Sequence, residues 1–169
     1  KVEQHVYELD GDLDRNKSTE WSRTILSLTA LGQDITNVNG YNFIEKLSES
    51  YKFSYRQGIN GPIWETIAMN TGNYQFLKDA SNEDQNSFTK MIDFILSKEI
   101  TQVNGTVGGW ALSGKFPDPD ITGMALQALA PYYLDRTLYE SLEPGQSYET
   151  LAVAVERAIA ILADIQGEN

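Results

Sequence analysis

From Thr19 onward, apolar residues recur at helical rather than strand spacing, and segments of two kinds alternate. Segments of the first kind are apolar nearly all round: Ser22 to Leu31, Pro62 to Met69 and Ile121 to Leu129. A helix without a wide polar face has to be covered on several sides. Those of the second kind carry one apolar stripe opposite charges: Phe43, Ile44, Leu47 and Tyr51; Phe88, Met91, Ile92 and Ile95; Leu151, Val155, Ile159 and Leu162. Such helices keep one face in water.

This order predicts an all-α chain of three helical hairpins, with covered inner helices near 20–32, 61–72 and 120–132 and outer helices near 40–51, 84–99 and 148–165. Ser18/Thr19, Asn60-Gly61-Pro62 and Asp118-Pro119-Asp120 are the start signals of the inner helices, as capping oxygens or a first-turn proline. Gly32, Gly72 and Pro131 are their stop signals. The inner segments align as Leu28-Thr29-Ala30-Leu31, Thr66-Ile67-Ala68-Met69 and Leu126-Gln127-Ala128-Leu129, a degenerate repeat whose recurrent alanine predicts close helix approach. Residues 1–18 are polar and lack a sustained period, so they are read as an acidic lead-in to one domain over 19–169.

Val107-Gly108-Gly109-Trp110-Ala111-Leu112, followed by Asp118-Pro119-Asp120-Ile121-Thr122 and a helix holding Ala128-Leu129, resembles the repeat of the squalene cyclase and protein prenyltransferase superfamily. The likeness extends more weakly over 19–32 and 57–74. It implies an incomplete α/α-toroid with inner and outer helix layers. The wording of 58–64 and 118–122 looks closest to non-catalytic toroid modules of bacterial surface or secreted proteins, which implies an extracellular or cell-surface location. Class II cyclases of this superfamily protonate an alkene with an Asp-x-Asp-Asp motif. Asp118, Asp120 and Thr122 match its surroundings, but Ile121 replaces the third carboxylate.

Composition narrows the chemistry. The 169 residues include no cysteine, which removes thiolate zinc sites, thioesters and cysteine nucleophiles. With 24 acidic against 13 basic residues, the charge of −11 repels nucleic acid and anionic membranes. No apolar run reaches the roughly 20 residues that span a bilayer, so membrane insertion is not expected. The chain starts at Lys1 and ends just after a helical pattern, and is expected to be a piece of a longer protein.

Asp118 and Asp120 are the weak catalytic candidates, with helix capping by Asp120 as the plain alternative. Trp21, Trp64, Trp110 and Tyr133, with the same two aspartates, are the candidate ligand contacts; large aromatics are also common core residues. Asp10, Asp12 and Asp14 alternate as in a calcium loop, but Arg15 and Trp21 occupy the glycine and glutamate positions of such a loop, leaving only weak metal candidates. His5 is expected at the surface, and Asn16-Lys17-Ser18 and Asn104-Gly105-Thr106 are formal glycosylation triplets.

No cofactor is expected. The expected function is a non-catalytic module that binds a protein or a small molecule. The alternatives are a degenerate class II cyclase with Asp120 as its acid, or a carrier domain similar to those of cobalamin. A closed ring needs more hairpins than three, so an apolar surface is expected around Ile159, Ile161, Leu162 and Ile165, to be covered by the lead-in, a second copy or a missing second half of the toroid.

Overall fold

The computed structural model describes residues 1–167. Among them there are helices, two isolated β-bridges (Val38 with Tyr41, Thr101 with Val107) and no sheet, as the hydrophobic spacing predicts. The chain forms two compact units, Lys1–Ser87 and Phe88–Asn169.

The first unit contains α1 (Val2–Glu8), α2 (Ser18–Ala30), α3 (Phe43–Glu49), α4 (Tyr51–Tyr55) and α5 (Asn60–Thr71). Helix α1 lies where the sequence pattern shows no period. Only Val6 of its residues is buried, too little apolar signal to mark a helix in advance. α2 and α5 pack together as the main helix pair. Trp21, Ile25 and Leu28 of α2 and Ile63, Ile67 and Met69 of α5 are buried there, and Phe43 of α3 meets Trp21 edge-on with ring centroids 5.2 Å apart.

α5 fits the prediction of an all-round covered helix, being buried at nearly every position. α2 does not: Glu20, Arg23, Ser27 and Ala30 are exposed, so the first repeat alanine makes no close approach. Ala68 and Ala128 are fully buried, as the repeat predicts. The outer helix expected over 40–51 is two helices. Ser50 breaks it in an extended conformation, and its hydroxyl accepts the Lys52 N–H at 3.2 Å to cap α4. The N-terminal cap of α2 comes from afar: neither Ser18 nor Thr19 caps it, and Gln57 Oε1 accepts the Thr19 N–H at 3.0 Å.

The second unit contains α6 (Phe88–Ser97), α7 (Pro119–Leu134), α8 (Arg136–Ser141) and α9 (Tyr148–Gly167). α7 packs on α9 and on α8. Pro131 does not stop α7. One missing donor is tolerated near the helix end, and the Asp135 N–H closes back onto the Pro131 carbonyl at 3.1 Å. Of the apolar C-terminal residues, Ile159 is half exposed, whereas Ile161, Leu162 and Ile165 are partly covered. Ile161 packs at Gly108, where an added Cβ would come within 2.7 Å of its Cδ1.

Candidate functional site

The residues that carry the family resemblance assemble in the second unit as a brace. Gly108 and Gly109 have φ of 144° and 69°, values that favour glycine, and turn the chain so that Trp110 enters the core. The indole N–H of Trp110 donates to the Ile95 carbonyl at 2.8 Å. The Trp110 backbone N–H donates to Thr122 Oγ1 (2.9 Å), while the Thr122 hydroxyl donates to the Trp110 carbonyl (3.0 Å). That carbonyl also accepts the Asp118 N–H at 2.9 Å.

Asp118 is the N-cap of α7, accepting the Ile121 N–H at 2.9 Å, so the capping role belongs to it and not to Asp120. Asp120 is exposed in the first turn, where its charge favours the positive helix end. Neither carboxylate has the enclosed setting in which a cyclase would protonate an alkene. Tyr133 is half-buried, and its carbonyl accepts the Tyr148 hydroxyl at 2.7 Å.

In the first unit, Trp64 is half-buried beneath the Arg23 guanidinium at 5.9 Å. The structure brings Trp21, Asp10 and Asp12 together on a groove of about 290 Å³. One wall begins where α1 ends in two left-handed residues, Asp10 (φ 51°) and Gly11 (φ 74°). Gly11 is required there, since a Cβ would fall 2.1 Å from the Tyr41 ring. The Tyr41 hydroxyl donates to Asp10 Oδ1 at 2.7 Å, and this bond to an anion raises the Tyr41 pKa. Tyr41 is delivered by a tight turn through Asn39 and Gly40, both at positive φ and bridged by Val38 and Tyr41.

Helix α3 forms the opposite wall. Glu45 and Glu49, four residues apart, share one face with Lys46 beside them. Lys46 Nζ lies 3.5 Å from Glu49 Oε2 and 5.9 Å from the Trp21 ring. Asp10, Asp12, Glu45 and Glu49 line the groove with Lys46, and even with Arg15 paired to Asp12 the groove is net anionic. Asp12 Oδ2 accepts Arg15 Nε at 2.8 Å, and Asp12 Oδ1 is buried without a partner.

Asp14 is used elsewhere. Its Oδ1 accepts the Asn16 and Lys17 N–H groups at 2.7 and 2.9 Å, which holds its pKa down, and its carbonyl accepts the Trp21 indole N–H at 3.0 Å. The three alternating aspartates therefore face three different partners. Among the described residues no group of three or more His, Cys, Asp or Glu side chains could hold a metal. His5 is exposed. Of the glycosylation triplets, Asn104-Gly105-Thr106 is exposed, whereas Ser18 of the other is fully buried.

Sequence reading missed Tyr41, Glu45, Lys46 and Glu49. The available signals were the Asn39-Gly40 turn pair and the four-residue spacing of the glutamates. It also missed Glu65, a fully buried acid inside the most apolar helix. Glu65 Oε2 accepts Ser54 Oγ at 2.7 Å and Asn86 Nδ2 at 2.8 Å. Burial pushes its pKa up to about 7 against the opposing pull of Ser54, Ser18 and Asn86.

No family model matches the chain, and neither does any curated protein or solved structure. Among the described residues no helix is long and apolar enough to cross a membrane.

Proposed function

We propose that the chain is a non-catalytic binding module that takes a cationic group of a ligand or protein partner into the acidic groove of the first unit. The groove carries this reading: it is concave, and four carboxylates line it against one lysine. Carboxylate oxygens only accept hydrogen bonds, so the matching group is a donor such as an ammonium or guanidinium. A chain charge of −11 draws such partners in from a distance.

We further propose that the module is an incomplete α/α-toroid of the terpenoid cyclase and prenyltransferase kind, part of a larger bacterial surface or secreted protein. Support comes from the all-round cover of α5 and the Gly-Gly-Trp brace at the start of α7. The surface or secreted setting rests on the resemblance itself. Cyclase chemistry is disfavoured because Asp118 is engaged as a cap and Asp120 stands in water.

Calorimetric titration of the chain with tetralysine, with tetraglutamate as control, tests the binding. Tetralysine is expected to bind, and the double change Glu45→Gln with Glu49→Gln to weaken it about tenfold, equivalent to about 1.4 kcal/mol. Salt should weaken it further. No binding, or equal affinity in the variant, overturns the reading.

A further inference from the structure

We propose that Glu65 is a proton switch in the first unit: the folded state holds it neutral, and loss of its proton loosens the contact of α5 with α4 and with the segment around Asn86. This is independent of the groove and of the binding reading.

The geometry favours a neutral acid. Glu65 is fully buried, and only one of its oxygens is served: Oε2 accepts from Ser54 and Asn86, while Oε1 has no partner. An ionised carboxylate with a bare oxygen in a dry interior is strongly disfavoured. A proton on Oε1 turns that oxygen into a donor. The Ser18 hydroxyl opposes this as a donor that lowers the Glu65 pKa, but neither its oxygen nor Glu65 Oε1 makes a bond in good geometry.

The same acid ties several elements together. Asn86 Nδ2 reaches Glu65, Ser54 Oγ (2.9 Å) and the Leu47 carbonyl of α3 (3.1 Å), and the Asn86 N–H donates to the Ser48 carbonyl at 3.0 Å. Gly61, one turn before Glu65, admits this proximity, since a Cβ there would sit 1.9 Å from the Ser54 carbonyl oxygen and 3.0 Å from Ser18 Oγ.

Among the described residues, no charged group compensates the acid. It is faced by Ser18 from α2, Ser54 from α4 and Asn86 from the following segment, none of which titrates. The charged residues of those elements are engaged elsewhere: Glu20 with Arg23 on α2, Lys52 of α4 with Asp84 of the segment at 2.6 Å, and Arg56 with the Arg15 carbonyl. The raised pKa of about 7 agrees with this setting. Because the folded value lies above the ordinary value of 4.5, the folded unit keeps a proton that the unfolded chain gives up. Stability is therefore full below about 4.5, falls as the pH rises to about 7, and is level beyond.

The test compares the full chain with Glu65→Gln, a neutral mimic of the protonated acid, by amide hydrogen exchange of α5 at matched pH. From pH 4.5 to 8 the wild type should lose protection relative to the variant by on the order of a hundredfold. A pH-independent ratio overturns the proposal. Should the variant fail to fold, the carboxyl carbon resonance of Glu65 in the wild type decides: it should titrate near neutrality. Titration together with the exposed glutamates overturns the proposal.

Discussion

Replacing Gly109 with alanine would bring a Cβ to 2.8 Å from Pro117 Cβ at a backbone φ of 69°. Overpacking and left-handed strain together should cost about 2–4 kcal/mol, measured by denaturant unfolding. Thr122→Val keeps the shape of the side chain but removes its bonds to Trp110, and should cost about 1–3 kcal/mol, whereas Thr122→Ser should recover most of this. Both changes act on residues that carry the family resemblance in the sequence, and the structure shows them bracing Trp110 against α7. Residue identity and spacing were legible at this site. What they support was not, because Gly-Gly-Trp and Asp-x-x-x-Thr name hydrogen-bonding capacity without naming partners. Glu65 was illegible for the converse reason: one acid among apolar residues reads as a solvent-facing point until Ser54, from a separate helix, and Asn86, from a distant loop, are known to enclose it.

At the scale of helices, periodicity located α2, α5, α6, α7 and α9 within a few residues, because their buried positions follow the helical repeat. It missed α1 and α8, of seven and six residues, since so few turns bury too little to show a period. Capping divides in the same way. The cap of α7 is local, and Asp118→Ala should cost about 1 kcal/mol, with Asp120→Ala costing less because its contribution is limited to the dipole; thermal unfolding would rank them. The cap of α2 is provided by Gln57, 38 residues away, and Gln57→Ala should fray α2 at a cost of about 0.5–2 kcal/mol. Hydrogen exchange confined to the first turn of α2 would detect it. No local window of sequence could have shown that bond.

Across the molecule, the carboxylates pull the pH profile in opposite directions. Asp14, Asp34 and Asp79 are held below the ordinary value, Asp14 chiefly by backbone donors and the other two by neighbouring hydroxyls, so the stability they contribute is present above 3.8 and lost as the pH falls below it. Glu65 removes stability as the pH climbs from about 4.5 to about 7. On the acid side of neutrality the Glu65 effect dominates, and thermal midpoints should fall as the pH rises from about 4.5 to about 7. At neutral pH the charge of −11 repels itself, and added salt should raise the midpoint until screening is complete. The sequence by itself determined the charge, the absence of thiol chemistry and the all-helical class, because composition is additive and amphipathic periodicity is a local property of the chain. Only the tertiary structure decided that the chain forms two compact units, that Asp10 and Asp12 share a groove with Glu45 and Glu49, and that Glu65 lies in the core. Those facts depend on contacts between residues far apart in sequence, whose distances follow from how the helices pack against one another.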